Sequence, residues 1–174
     1  VLGGADTLAG GTLTMPALFG PSDSTVTLAD STAQLRLGNG DGFGFAGLIS
    51  GSGSVAKVGS GTQGLLGANT YTGGTTISAG SLLVGHPTAL GSGAVTLAGG
   101  SLASEVVGLS VGNDLVLTAN SGLIAGTTTG LNTGDLALTG VISGTDGHSL
   151  TKTGTGTLTL SGANTYNGRT YVNQ

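Results

Sequence analysis

Residues 152–173 read KTGTGTLTLSGANTYNGRTYVN, and residues 57–78 read KVGSGTQGLLGANTYTGGTTIS. About half of the aligned positions are identical, at a fixed offset of 95 that places Lys57 against Lys152. Gly59, Gly61, Thr62, Leu65, Gly67, Ala68, Asn69, Thr70, Tyr71, Gly73 and Thr75 recur as Gly154, Gly156, Thr157, Leu160, Gly162, Ala163, Asn164, Thr165, Tyr166, Gly168 and Thr170. The match extends upstream, where Gly47-Leu48-Ile49-Ser50-Gly51 corresponds to Gly140-Val141-Ile142-Ser143-Gly144. The second copy then carries two extra residues around Asp146-Gly147-His148. An internal repeat signals a stacked architecture, and 95 residues suit four coils of roughly 24, inside the repeat window of 20–50.

Outward from this pair, short β-type clusters run through the chain. Val26-Thr27-Leu28, Leu35-Arg36-Leu37, Val55-Ala56-Lys57, Val95-Thr96-Leu97 and Leu136-Ala137-Leu138 are examples. Most alternate apolar with small or polar residues, the period of a half-buried strand. Gly, Asn, Asp and Ser punctuate the junctions. Residues 16–24 and 120–134 are the least strand-like. Strands of only about 3–5 residues are shorter than the usual mode near 5–6 and suit a coiled solenoid. No helical period is visible, and each interior Gly would cost a helix about 1 kcal/mol.

The composition narrows the class. Of 174 residues 37 are Gly, only 7% are charged, and the formal net charge is −4. The mean hydropathy is +0.34, the opposite of a highly charged disordered chain. Gly lacks the strict third-residue period of collagen. The cations Arg36, Lys57, Lys152 and Arg169 are spread along the chain, so no basic patch for nucleic acid and no basic amphipathic helix for a membrane surface is expected. No apolar run approaches the roughly 20 residues of a membrane-spanning helix. Cysteine is absent, so disulfides and thiolate metal sites are excluded. That absence would suit a chain that crosses a membrane pore unfolded. No signal peptide is visible at Val1, and Gln174 falls inside a repeat, so an excised part of a longer protein is expected.

The segment Gly154 to Val172, with its partner Gly59 to Ile77, resembles the autotransporter-associated β-strand repeat. That pattern runs Gly-x-Gly-x-Leu-x-Leu-x-Gly-x-Asn-x-Tyr-x-Gly-x-Thr-x-Ile. The first copy departs from it at Gly64 and the second at Arg169. The resemblance implies a passenger domain of a Gram-negative type V autotransporter, folded outside the cell as a right-handed parallel β-helix. It also implies a C-terminal translocator barrel in the full protein. The family includes adhesins, proteases, esterases and toxins, so it does not fix an activity.

The fold expected is therefore all-β: a right-handed parallel β-helix of about seven turns. Residues 1–174 form a single segment with two clear copies at about 47–84 and 140–174. Stacking at 4.7–4.9 Å makes a rod roughly 35 Å tall. Leu65, Ile77, Leu82, Val84, Val95, Leu97, Leu115, Leu117, Leu136, Leu138, Leu158, Leu160 and Val172 should point inward. The repeat residues Gly67, Asn69, Tyr71 and Gly73, with Gly162, Asn164, Tyr166 and Gly168, read as structural turn residues. Gly would permit corners of positive φ. Asn would tolerate the left-handed region where the chain turns sharply. Each Tyr ring would cover a turn or pack on the neighbouring coil.

No catalytic, cofactor-binding or metal site is legible. His86 and His148 read as loop residues without metal-ligand spacing, and the acids Asp6, Asp23, Asp30, Asp41, Glu105, Asp114, Asp135 and Asp146 read as dispersed turn residues. No Gly-x-Ser-x-Gly elbow is present. Residues 38–43, GNGDGF, miss the glycine spacing of a Ca²⁺-binding nonapeptide. Phe43 and Phe45 share one side of a strand, as a local core plug or, if exposed, a contact patch.

The leading expectation is a non-enzymatic structural or adhesive passenger segment at the cell surface or outside the cell. Its partners would be host-cell, matrix or sister-cell components. A β-helical polysaccharide-degrading enzyme is the alternative; it would need clustered carboxylates, or a basic residue close to a Ca²⁺ site. A third reading is a fibre subunit stacking end to end through uncapped coils.

Overall fold

The structure is a computed structural model that describes residues 4–40, 43–126 and 134–173, the side chain of Phe43 excepted. Among these residues there is no helix. The chain winds as a parallel β-solenoid of about eight coils. That is one more than the sequence suggests, because most coils are shorter than 24 residues. Val55 pairs with Thr75, Thr75 with Val95, and Val95 with Leu115, each a step of 20.

Three faces bound the solenoid. The first carries seven strands: Thr12–Met15, Gln34–Leu37, Ser54–Lys57, Thr75–Ile77, Val95–Leu97, Leu115–Leu117 and Ile142–Ser143. The second carries seven: Phe43–Phe45, Thr62–Leu65, Ser81–Val84, Ser101–Ser104, Ser121–Ala125, Leu150–Thr153 and Thr170–Val172. The third is interrupted. Ala5–Leu8, Thr25–Leu28 and Leu48–Gly51 form its lower sheet, and Leu109–Val111, Leu136–Leu138 and Leu158–Leu160 its upper one. Between them two coils replace the strand with irregular turns at 66–74 and 85–94.

Equivalent residues of successive coils stack in register, so the interior consists of rows of like side chains. One row on the first face runs Leu35, Val55, Thr75, Val95, Leu115 and Ile142. Its neighbour runs Leu37, Lys57, Ile77, Leu97 and Leu117. The expected inward residues from Leu65 to Leu138 are buried. Leu158 and Leu160 are half-buried and Val172 is 65% exposed, since they belong to the last described coil. Each fully buried aliphatic side chain contributes about 1.5–3 kcal/mol, and in a solenoid that gain requires a coil on either side.

One coil is longer. The step from Leu115 to Ile142 is 27 residues and that from Ser121 to Leu150 is 29. Part of the excess is residues 127–133, which lie outside the described residues, and part is the extra pair near Asp146-Gly147. Within 120–134, residues 121–125 form a strand after all. Residues 16–24 hold one isolated bridge, from Gly20 to Phe45.

The long coil corrects the reading of the repeat offset. Lys57 and Thr75 lie on the first face, but Lys152 and Thr170 lie on the second. The two copies are therefore separated by four coils plus one strand, and the second is advanced around the axis by one face.

Candidate functional site

The repeat residues converge on the junctions between coils. Asn69 is 2% exposed. Its Oδ1 accepts from the Ile49 amide of the coil below at 2.8 Å, and its Nδ2 donates to the Ala89 carbonyl of the coil above at 2.7 Å. One side chain thus satisfies a backbone donor and a backbone acceptor where the third face has no strand ladder. Asn113, two coils above Asn69, continues the device, with Nδ2 donating to the Gly91 and Gly93 carbonyls of the coil below it at 3.0 and 2.8 Å. In the second copy, Asn164 Oδ1 accepts from the Ile142 amide at 2.8 Å. Ile49 and Ile142 belong to the matching Gly-x-Ile-Ser-Gly segments upstream of each motif, so the repeat contains both the clamp and the strand that it clamps.

This geometry corrects the physical reason expected for these residues. Among the described residues no non-Gly residue has positive φ, so neither Asn occupies the left-handed region. Nor do Gly67, Gly73, Gly162 and Gly168 have positive φ. They are glycines because the coil below lies against them. A Cβ on Gly67 would collide with the Gly47 carbonyl, on Gly162 with that of Gly140, and on Gly168 with that of His148. On Gly73 it would stand 2.6 Å from the Gly53 carbonyl oxygen. Corner glycines of positive φ exist elsewhere, for example Gly91 at 66°.

Tyr71 is fully buried, and its hydroxyl lies 2.6 Å from Thr75 Oγ1. Thr75 Oγ1 in turn donates to the Leu90 carbonyl at 3.2 Å. Burial pushes the Tyr71 phenol well above its ordinary value, against the smaller opposing effect of the Thr75 bond. Tyr166 and Thr170 repeat the hydroxyl pair at 2.5 Å, with Tyr166 half-buried. Both rings pack against the core.

Lys57, Lys152 and Gln63 are among the polar core residues that escaped the sequence reading. Lys57 is completely buried in its row between Leu37 and Ile77. Its Nζ donates to the Gly38 carbonyl at 3.0 Å and to that of Gly59. Lys152, buried between Leu123 and Val172, donates to the Gly154 carbonyl at 2.6 Å. The lysine-to-second-glycine bond is common to both copies, and the identity of Lys57 and Lys152 in the alignment was its sequence signal. Gln63, 1% exposed, reaches across two coils: its Oε1 accepts from Leu18 N at 2.8 Å and its Nε2 donates to Leu18 O at 2.9 Å. A single occurrence carries no repeat signal.

The other sequence candidates are dispersed. Phe45 is fully buried and acts as a core plug, so it contributes nothing to an exposed patch; the Phe43 side chain lies outside the described residues. His86 Nδ1 is 3.0 Å from Thr88 Oγ1 and accepts from the Thr88 amide, within its own turn. His148 Nε2 lies 3.9 Å from Asp146 Oδ2 on the extra pair. Asp30 binds the Thr32 hydroxyl and the Thr32 and Ala33 amides, and those bonds hold its carboxyl below the usual range. Asp135 accepts from Thr157 N one coil above, with the same effect on its carboxyl. Asp41 lies outside the described residues. Among the described residues no group of three or more His, Asp or Glu is placed to hold a metal. A cavity of about 230 Å³ opens beside Asp6, Leu8, Leu13 and Val26 at the first coil, and a shallow groove of about 380 Å³ lies between Pro87 and Asn113.

Comparison with known proteins agrees with this geometry. The model of the passenger-associated-transport-repeat matches residues 55–84 and 150–174. The chain is 34% identical over 111 residues to the adhesin BmaC autotransporter of Brucella suis biovar 1 (strain 1330). That match spans 62% of the chain and 3% of the relative's length. No solved structure matches the chain. Both matched stretches fall on the coil-clamping motifs, so the repeat seen in the sequence and in the coil contacts is the one that the passenger-associated-transport-repeat model describes.

Proposed function

We propose that the chain is a non-enzymatic scaffold segment of a surface-exposed passenger, which displays adhesive contacts away from a Gram-negative cell. The observation that carries this reading is the use made of the repeat residues. Asn69, Tyr71, Thr75 and Gly67 are all spent on holding one coil to the next. Side chains so committed build length and stiffness rather than a reaction centre. Adhesion is supported by the name of the Brucella relative and by Val107, which stands 72% exposed beside half-exposed Val106. Isolated exposed valines of this kind, on a surface of low charge, suit weak contacts that gain strength by repetition. The partners would be host-cell, matrix or sister-cell surface components.

The test is binding of the purified chain, in monomeric and multimerised form, to host cells, matrix proteins and bacterial cells. Multimer-dependent binding that Val107→Asp and Val106→Asp reduce supports adhesive display. Absence of binding in every form would leave a spacer. Turnover of a polysaccharide would overturn the non-enzymatic reading.

A further inference from the structure

The interruption of the third face leaves a strand edge in the middle of the solenoid, with coils both above and below it. Leu109–Val111 pairs upward with Leu136–Leu138 and has no strand beneath it. The Val111 carbonyl accepts from the Thr139 amide above at 3.0 Å. In a parallel ladder successive residues bond to opposite sides, so the N–H and C=O of Ser110 point down, toward the turn at 85–94. The alternation of exposed and buried residues continues through Gly112 and Asn113, which puts the Gly112 groups on the same side. Among the described residues no backbone bond joins Ser110 or Gly112 to the turn below.

The turn directs its own groups the other way. Its Ala89 carbonyl accepts from Asn69, its Leu90 carbonyl from Thr75, and its Ser92 amide donates to the Tyr71 carbonyl at 3.0 Å, all in the coil below. A turn bonded downward does not also pair upward, so the clamp opens a gap above itself. Among the described residues its one bonded tie to the coil above is Asn113, through Nδ2. Asn113 is 9% exposed, and its Oδ1 has no partner among the described residues, unlike that of Asn69 or Asn164. The gap is the groove of about 380 Å³, with Pro87, Thr88 and Ser92 on the turn side and Ser110, Gly112 and Asn113 on the strand side.

We propose that this groove binds an extended, cationic peptide segment of a partner protein, which adds a strand beneath Leu109–Val111. A peptide matches the site because the edge offers main-chain donors and acceptors at strand spacing, and an added strand satisfies both. At about 3.3 Å per residue, a strand of about five residues spans the edge from Gly108 to Gly112. Charge selects among peptides. Glu105 and Asp114 are exposed and bracket the edge in the chain. The ion pair formed among the described residues is His148 with Asp146, so neither acid is neutralised by a cation. Lys or Arg near each end of the segment answers these charges. The exposed Val106 and Val107 lead into the edge and add apolar contact. The site deepens the adhesive reading and rests on it for a partner that carries such a segment.

The test titrates the full chain with fluorescein-labelled Lys-Thr-Val-Thr-Val-Lys, reading anisotropy and the NMR shifts of the Ser110 and Gly112 amides. Binding below about 1 mM that shifts both amides is expected. Glu-Thr-Val-Thr-Val-Glu should bind about tenfold more weakly. So should Lys-Thr-Pro-Thr-Pro-Lys, by about the same factor, since it keeps the charge and lacks the strand donors. Ser110→Pro removes an edge N–H that has no partner in the chain, so the fold should persist while binding falls about tenfold. Ser92→Trp fills the groove from an exposed position and serves as the test if the proline variant does not fold. Glu105→Gln with Asp114→Asn should bring the basic and acidic peptides to within about threefold of each other. No binding at about 1 mM, undiminished binding of the proline peptide, or native affinity in Ser92→Trp overturns the proposal. So do shifts of the two amides by maltotriose and not by the peptide, which would assign the groove to a glycan. Cell binding by the multimerised chain is measured separately, so the peptide site and the adhesive reading can each fail alone.

Discussion

Asn69 and Asn164 hold the same place in the repeat, yet they lie on different faces of the solenoid. Asn69 clamps Ile49 on the third face and Asn164 clamps Ile142 on the first. The motif is thus not tied to a face. It carries its own partner strand one coil earlier, at a separation of 20 residues in one copy and 22 in the other. A self-contained clamp can be placed on any face and still bond coil to coil.

The clamp should be costly to remove where it is covered. Asn69→Ala leaves a buried amide N–H and a buried carbonyl without partners, at about 1–3 kcal/mol each. We expect a loss of about 3 kcal/mol by urea denaturation. Asn164→Ala, at a half-exposed site where water can substitute, should cost about 1 kcal/mol or less. Equal costs would show that the second bond of Asn69 contributes nothing.

Glycines chosen by contact should respond differently from glycines chosen by φ. Gly67→Ala and Gly162→Ala drive a methyl group into backbone carbonyls that cannot rotate away. Each should destabilise by about 3 kcal/mol or more, in the range of the larger single-mutant effects. Gly147 has φ of 72° and open space around its Cβ position. Gly147→Ala should cost only about 1 kcal/mol, the backbone penalty alone. Thermal denaturation of the three variants ranks them.

Tyr71 should make the solenoid sensitive to alkali. Its folded-state pKa lies above the unfolded one because burial opposes the phenolate. The unfolded chain therefore loses that proton first. The Tyr71 contribution is complete below about pH 10 and declines as pH rises beyond it. Tm measured from pH 8 to 11 should fall more steeply in the native chain than in Tyr71→Phe, which has no proton to lose. At pH 8 the variant should sit about 1 kcal/mol lower, for the lost hydroxyl bond to Thr75. Parallel pH profiles would refute the assignment.

Lys57 should behave as a core residue. Lys57→Ala removes a buried stem and its bonds to the Gly38 and Gly59 carbonyls, at a cost of about 2–5 kcal/mol for a cavity of this kind. Lys57→Met keeps the volume and should recover at least half of that loss, because the row neighbours Leu37 and Ile77 are apolar. Urea midpoints of the two variants compare them. A surface lysine would show no difference.

Much of this was legible in the chain itself. Alternation in Val95-Thr96-Leu97 or Leu136-Ala137-Leu138 determines which side chains go inward, because strand geometry is local and has period 2. The repeat determines that the architecture is stacked and locates the Gly-Ala-Asn-Thr-Tyr segment as its structural signature. Tertiary structure decided what spans coils. The face assigned to each copy depends on the summed lengths of intervening coils, including the long one between Leu115 and Ile142. The need for Gly67 and Gly162 lies in the carbonyls of Gly47 and Gly140, about one coil away in sequence but in contact in space. The burial of Lys57 follows from register with Leu37 and Ile77, which no local pattern specifies. Local preference determines a strand and its sides; only the stacking of one coil on another determines which residues meet.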